Sequence, residues 1–365
     1  MHNCRPDEIL VTLRDHGYEA FYVGGCVRDT LLNREIHDWD ITTSALPEQI
    51  MACFDHCVPT GIKHGTVTVL SGAFQAEVTT YRTDGEYLDG RHPQNVKFVR
   101  SLSEDLARRD FTINAMAMDE KGNVVDLYGG QEDLERKLIR CVGDPDKRFQ
   151  EDALRILRAF RFSAQLGFSL EHLTEEAIGR NAVLCRQLSA ERVRDEIEKT
   201  LCSDLPQRLE DMARCGAIDR CMPSLEHDCG WLASLPKIEI VRWAGLCRTW
   251  PRLDLAQLRL SKRITCDATL AGRCEIPENR LGWKKLIASC GAECAKIAAA
   301  LENKSELVQE ILLSGECLSL RQLAVGGEDF PELSGPEIGL QLNKLLLYVL
   351  EHPEDNTKEK LKGLH

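Results

Sequence analysis

Short runs that alternate apolar and polar residues fill roughly the first 143 positions, and each reads as a half-buried strand. The candidates are FYVGG (21–25), DWDITT (38–43), TVTVL (66–70), AEVTTYR (76–82), VKFV (96–99), INAMAM (113–118), VVDLY (124–128) and LIRCV (138–142). Between them VRDTLL, PEQIMACF and LSEDLARR space their apolar residues as helices do. From Asp144 onward the alternation fades. Apolar residues then recur three and four apart, as in EDALRILRAFRFSAQLGF, AERVRDEIEKTL and ELVQEILL. The pattern predicts an α/β head on a long all-helical body. Pro223, Pro236, Pro251 and Pro277 punctuate the body without forming a flexible linker, and the charged tail HPEDNTKEKLKGLH is expected to fray.

Composition adds limits. A chain of 365 residues with 43% hydrophobic content has room for two or three cored domains. The opening MHNCRPDEIL has no apolar signal core, and no run of about 18 apolar residues follows, so a soluble, cytoplasmic protein off the membrane is expected. The 16 cysteines form no CxxC pair; Cys53 with Cys57, and Cys290 with Cys294, lie one helical turn apart. Reduced, mostly buried thiols explain them better than zinc, because nothing completes four ligands. The net charge of −12 argues against coating nucleic acid through bulk electrostatics, yet leaves RNA open as a substrate met by a local basic track.

Chemistry concentrates in the head. Gly24 and Gly25 end an apolar strand and open a helix, which lets backbone N–H groups approach phosphate, with Arg28 just inside the turn. An ordinary strand-to-helix turn is the alternative. In Asp38-Trp39-Asp40 the two carboxylates project to one side of an extended strand. They repel and lose hydration together, costs that one or two Mg²⁺ ions would remove. Glu77, on a neighbouring strand, can supply a third carboxylate or lie on the surface.

GGCVRD, DWDIT, ARRDFTINAMA, EDALRILRAFRFSAQLGF and SAERVRDE occur in that order over roughly residues 20–200. The series resembles the class II CCA-adding tRNA nucleotidyltransferase and bacterial poly(A) polymerase family, within the polymerase-β-like nucleotidyltransferases. The resemblance implies an α+β nucleotidyltransferase head (a small mixed sheet with flanking helices, 1–143), an all-α neck carrying a base template (144–205), and an all-α body and tail that binds tRNA (206–365). It makes Asp38 and Asp40 the metal carboxylates, with Glu77 beside them as a catalytic candidate. Gly24, Gly25 and Arg28 become nucleotide contacts.

Arg109 and Asp110 suit a phosphate fork and a ribose acceptor, although RRD alone also fits a solvated helix end. The resemblance assigns those two roles and has Asn114 buttress the turn. EDALRILRAFR sets Asp152, Arg155, Arg158 and Arg161 three apart, so on one helix they spiral by about −60° per step. Asp152 and Arg155, as (i, i+3) neighbours, would present one acceptor–donor edge. Such an edge complements cytosine and adenine and leaves buried charges unpaired against uracil or guanine. A surface ion pair is the alternative. In the family these two positions select the base, and Arg158 and Arg161 add nucleotide contacts. Glu191, Arg192, Arg194 and Glu196 match the next motif and are read as a structural brace.

The segment YRTDGEYLDGRHPQNVKF matches the place of a flexible loop that accompanies the switch from C to A addition, with His92 where relatives commonly carry arginine. RLSKR (259–263) and GWKKL (282–286) are basic clusters that meet tRNA phosphates or simply face solvent. The single His227-Asp228 pair predicts no metal-dependent phosphohydrolase. The expected activity is template-independent addition of CMP and AMP to the 3′ end of tRNA from CTP and ATP. An A-adding enzyme, a poly(A) polymerase, and a non-catalytic RNA-binding or nucleotide-sensing protein are the competing readings.

Overall fold

The computed structural model describes residues 5–72, 74–84, 96–99, 101–222 and 228–364. His92, most of the loop around it, and His227 lie outside the described residues.

The head begins with α1 (Asp7–Asp15), whose Ile9, Leu10 and Leu13 are fully buried, followed by β1 (Ala20–Val23), α2 (Gly25–Leu31), β2 (Trp39–Thr43) and α3 (Pro47–Cys53). Next come β3 (Cys57–Gly61), β4 (Thr66–Ser71), β5 (Phe74–Thr80), β6 (Arg82–Asp84), β7 (Val96–Phe98) and α4 (Leu102–Ala107). The head closes with β8 (Met116–Met118), β9 (Val124–Asp126), α5 (Gly130–Arg136) and β10 (Leu138–Ile139). Seven of these strands make one mixed sheet in the order β3-β4-β5-β2-β1-β8-β9; β2 and β5 run parallel and the other neighbours antiparallel. β6 and β7 form a separate hairpin pair.

Alternation explains part of the sheet. In β5 Ala76 and Val78 face the core while Gln75 and Glu77 are exposed, whereas in β4 Val67, Thr68 and Val69 are all buried between the half-buried Thr66 and the exposed Leu70. The first half of INAMAM departs from expectation: Thr112–Asn114 is a 3₁₀ turn, and only Met116–Met118 is strand. β3 carried no sequence signal. It is an edge strand with an exposed Val58-Pro59-Thr60 centre and a register shift, the position where proline is tolerated. On the sheet, Leu106 of α4 packs with Val23 and Ala117.

After the head come α6 (Pro145–Glu151), α7 (Leu154–Leu166), β11 (Ser169–Leu170, paired with β10), α8 (His172–Asn181), α9 (Ala190–Leu201) and α10 (Arg208–Arg214). Further on lie α11 (Glu239–Thr249), α12 (Lys262–Arg273), α13 (Arg280–Cys290), α14 (Ala292–Leu301), α15 (Ser305–Leu313), α16 (Pro336–Glu351) and α17 (Lys358–Lys362). Thus an α+β head precedes an all-helical remainder, with β11 as a two-residue exception. The chain folds into two compact units, 1–200 with 211–224, and 201–210 with 225–365. Among the described residues no helix is long and apolar enough to cross a membrane.

Two expectations need correction. EDALRILRAFRFSAQLGF is not one helix: Asp152 ends α6 with φ −148° and ψ 105°, and its Oδ1 accepts from the Leu154 N–H that starts α7. Nor does the tail fray. Thr357 caps α17, Leu361 is fully buried, and Lys358 and Lys362 both pair with Asp329, at 2.7 and 3.0 Å.

Candidate active site

Trp39 turns into the core and packs on Tyr22, their ring centroids 4.9 Å apart, so the alternation of the strand sends the residues on either side of it the other way. Asp38 is exposed just before β2, and Asp40 is half-buried within it. Asp40 is the parallel-register partner of Glu77, which places both on one face of the sheet. Burial raises the Asp40 carboxyl to about 6; Glu77 and Asp38 push the same way and Arg109 opposes them. The three acids therefore share one electrostatic site.

Their donors are all carboxylate oxygens crowded against each other, which fits a hard divalent cation. Among the described residues no three metal-ligating side chains already form a cage. A cation that keeps waters and takes phosphate oxygens needs none.

Facing these acids is the Gly24 turn. Gly24 has φ 77° and ψ −130°, a region that side chains other than glycine's avoid. A Cβ there would sit 3.0 Å from Arg109 Nη1 and 3.9 Å from Asp40 Oδ2. Glycine is thus what lets the arginine and the aspartate converge on the turn, with Gly25 opening α2 behind it. Arg109 is held from α4 by Asp105, Nη2 to Oδ2 at 3.1 Å, and its buried Nε meets no hydrogen-bond acceptor among the described residues.

The other arginines assemble around one ring. The guanidinium carbons of Arg28, Arg158 and Arg161 lie 5.2, 5.2 and 4.2 Å from the centroid of Phe162. Each has its own carboxylate: Asp29 for Arg28, Asp110 for Arg158, and Glu196 for Arg161. Asn114 links two of them, accepting from Arg28 Nη1 at 2.8 Å and donating to Asp110 Oδ1 at 3.3 Å. Burial would raise the Asp110 carboxyl, but the Arg158 cation and its hydrogen bond hold it down to about 2. Both Asp110 oxygens are occupied, by Phe111 N and Asn114 on one side and Arg158 on the other. A ribose hydroxyl at Asp110 would have to share with or displace Arg158.

Asp152 and Arg155 are not one edge here. The break between α6 and α7 removes their (i, i+3) helical relation. Asp152 Oδ2 pairs with Arg192 at 2.7 Å, while the buried Arg155 donates to Glu151, to the Arg148 carbonyl at 3.0 Å, and to the Arg108 carbonyl at 3.0 Å. Glu196 and Arg192 of α9 hold Arg161 and Asp152 directly.

Sequence reasoning missed Phe162, Asp29 and Asp105. The last had a visible signal, an acid three and four positions before Arg108 and Arg109 on a helix. Of the basic clusters in the second unit, Lys284 is buried, donates to the Leu350 carbonyl at 3.1 Å and pairs with Glu316, so it is a brace. Lys285 pairs with Glu351 at 2.8 Å.

With this geometry in hand, comparisons place the chain. Residues 20–140 match the poly A polymerase head domain family, and residues 167–229 match the family described as the probable RNA and SrmB-binding site of polymerase A. The chain is 44% identical over 313 residues to the CCA-adding enzyme of Geobacillus thermodenitrificans, covering 84% of this chain and 73% of that one. It is 38% identical to the CCA-adding enzyme of Geobacillus sp. strain WCH70, covering 97% and 94%. Among solved structures, the Bacillus stearothermophilus CCA-adding enzyme in complex with CTP superposes with TM-score 0.84 at 35% identity, over 99% of this chain and 97% of that one. A glycine turn facing paired acids, followed by a helical arginine cluster and matched along nearly its whole length, makes this chain a member of the CCA-adding enzyme family of tRNA nucleotidyltransferases.

Proposed function

We propose that this chain builds or repairs the 3′ CCA of tRNA without a nucleic-acid template, using CTP and ATP and releasing pyrophosphate. The observation that carries the reading is the convergence of Asp40 and Arg109 on the Gly24 turn, with Glu77 in register beside Asp40 and Asp38 one step outside the strand.

Enzymes of this family generally use a divalent metal; we take it to be Mg²⁺, held by Asp38 and Asp40 with Glu77 adjoining. When bound, the ion would neutralise phosphate charge and make the terminal ribose hydroxyl a better nucleophile. Arg109 reaches the same Gly24 turn as Asp40 and offers phosphate the unmet Nε–H. Arg28 and Arg161, both buried, and the half-exposed Arg158 supply positive charge around Phe162, fixed before any nucleotide arrives. Asp110, kept ionised, orients Arg158 and is the candidate ribose acceptor once it shares or releases that arginine. For base choice we assign the acceptor to Asp152, clamped by Arg192. Arg155 is the donor candidate once it releases a carbonyl. The three-part division at 143 and 205, tRNA binding by the helical body, and a cytoplasmic location belong to this same proposal.

Incubation of the protein with tRNA lacking CCA, tRNA ending in C and tRNA ending in CC, each with one labelled nucleoside triphosphate, tests it. CMP on the first two substrates and AMP on the third are expected. AMP on CC ends alone would mark an A-adding enzyme, a long AMP tail a poly(A) polymerase, and no incorporation a non-catalytic binder.

A further inference from the structure

Beyond holding Arg109, Asp105 has no place in the chemistry above, yet among the described residues of the head it is one of the most heavily engaged carboxylates. It is fully buried in α4. Its Oδ1 accepts from Arg108 Nε at 3.0 Å, Arg108 Nη2 at 2.8 Å and the Arg82 backbone N–H at 3.4 Å. Its Oδ2 accepts from Arg109 Nη2 at 3.1 Å and from Thr42 Oγ1 at 3.3 Å. Burial raises its carboxyl, but Arg109 and Arg108 outweigh that and hold it below the usual carboxylate range.

These donors come from three separate elements. Thr42 lies two residues beyond Asp40 on β2, Arg82 begins β6, and Arg109 follows α4. Two guanidiniums on one carboxylate leave a positive excess, and the geometry directs it. Arg109 is tied by Nη2, its Nη1 is at the Gly24 turn, and its Nε is buried without an acceptor among the described residues. A buried unmet donor is costly unless a ligand supplies the acceptor. Because the same carboxylate grips the strand of Asp40, the arginine is set in register with the acids.

We propose that Asp105 is a positioning residue for the nucleotide: it aims Arg109 over the Gly24 turn and locks that arginine to the strand that carries Asp40. This rests on the function proposed above. A plain folding role for Asp105 would lower stability without any link to Arg109.

The test is a double-mutant cycle of Asp105→Asn and Arg109→Ala in the full chain. It is read by CTP binding and by KM and kcat for CMP addition to tRNA lacking CCA, beside melting temperature. Losing a charge-assisted hydrogen bond, Asp105→Asn should weaken CTP binding and raise the CTP KM by roughly 10-fold, with the tRNA KM unchanged. In the Arg109→Ala background the same change should add less than about 2-fold. Effects that multiply, or an unchanged CTP KM in Asp105→Asn, overturn the inference. If Asp105→Asn does not fold, Thr42→Val, which deletes one tie at nearly constant volume, carries the test. A rise of about 3-fold in CTP KM at an unchanged melting temperature supports the inference, and no rise overturns it. A wild-type chain that binds CTP but adds nothing overturns the proposed function, and the cycle is then read by binding alone. One that binds no nucleotide overturns both.

Discussion

Asp40 is held against its own preference for water. Its folded value of about 6 lies above the reference 3.8, so the protonated form favours folding. In metal-free buffer that contribution is complete below about pH 4 and is lost as the pH rises through about 6. The melting temperature should therefore fall over this window relative to that of Asp40→Asn, and Mg²⁺ should restore it at pH 7. Asp40→Asn should flatten the profile and raise metal-free stability at neutral pH, while cutting nucleotide addition by about 10²-fold or more. Thermal melts across pH with EDTA or Mg²⁺, beside incorporation rates, check both halves. A wild-type melting temperature that does not fall relative to that of Asp40→Asn between pH 4 and 7 without metal would contradict this account. Gly24→Ala makes a related demand. Its Cβ meets Arg109 Nη1 at 3.0 Å in a backbone region costing about 1–3 kcal/mol, so the CTP KM should rise before kcat falls.

At the scale of elements, the break between α6 and α7 matters most. Asp152 accepts from the Leu154 N–H at the start of α7 through one oxygen and holds Arg192 through the other. Asp152→Asn keeps a capping oxygen and removes the charge; Asp152→Ala removes both. The alanine variant should lose about 1 kcal/mol more stability. Both should lose at least tenfold in preference for CTP over UTP, measured as the ratio of kcat/KM values. Retained preference in both would remove Asp152 from base selection. The strand of Glu77 was legible because it alternates buried and more exposed residues, and that of Asp40 because a short β-branched run follows the two aspartates. The α6–α7 break was not, because the apolar spacing runs through it unbroken and only Asp152's local hydrogen bond stops the helix. β3 was hidden by its exposed, proline-bearing centre. The Phe162 cluster was equally unreadable: arginines three apart look solvated until carboxylates from α2, α9 and the segment after α4 are packed around them.

Over the whole molecule, the chain passes between the two compact units at three points, near residues 200, 210 and 224. In the second unit the fully buried Arg242 donates to the carbonyls of Leu201, Leu235 and Pro236 at 2.9–3.1 Å, which binds the 201–210 segment to α11. At the far end, Leu361 and the Asp329 pairs anchor α17. Deleting residues 353–365 strips a buried leucine worth about 1.5–3 kcal/mol, so calorimetry should show a melting temperature lower by roughly 3–10 °C. An unchanged melt would mean the tail contributes nothing to the unit.

The ring of Phe162 with three guanidiniums about it has a consequence for how tightly the enzyme grips its fuel. Those cations are already answered by internal acids, so an arriving triphosphate trades places with carboxylates more than with loose counterions. Nucleotide affinity should consequently vary little as potassium chloride is raised, while binding of tRNA, a polyanion that sheds condensed counterions, should weaken early. In concentrated salt the enzyme would remain charged with nucleotide and empty of RNA.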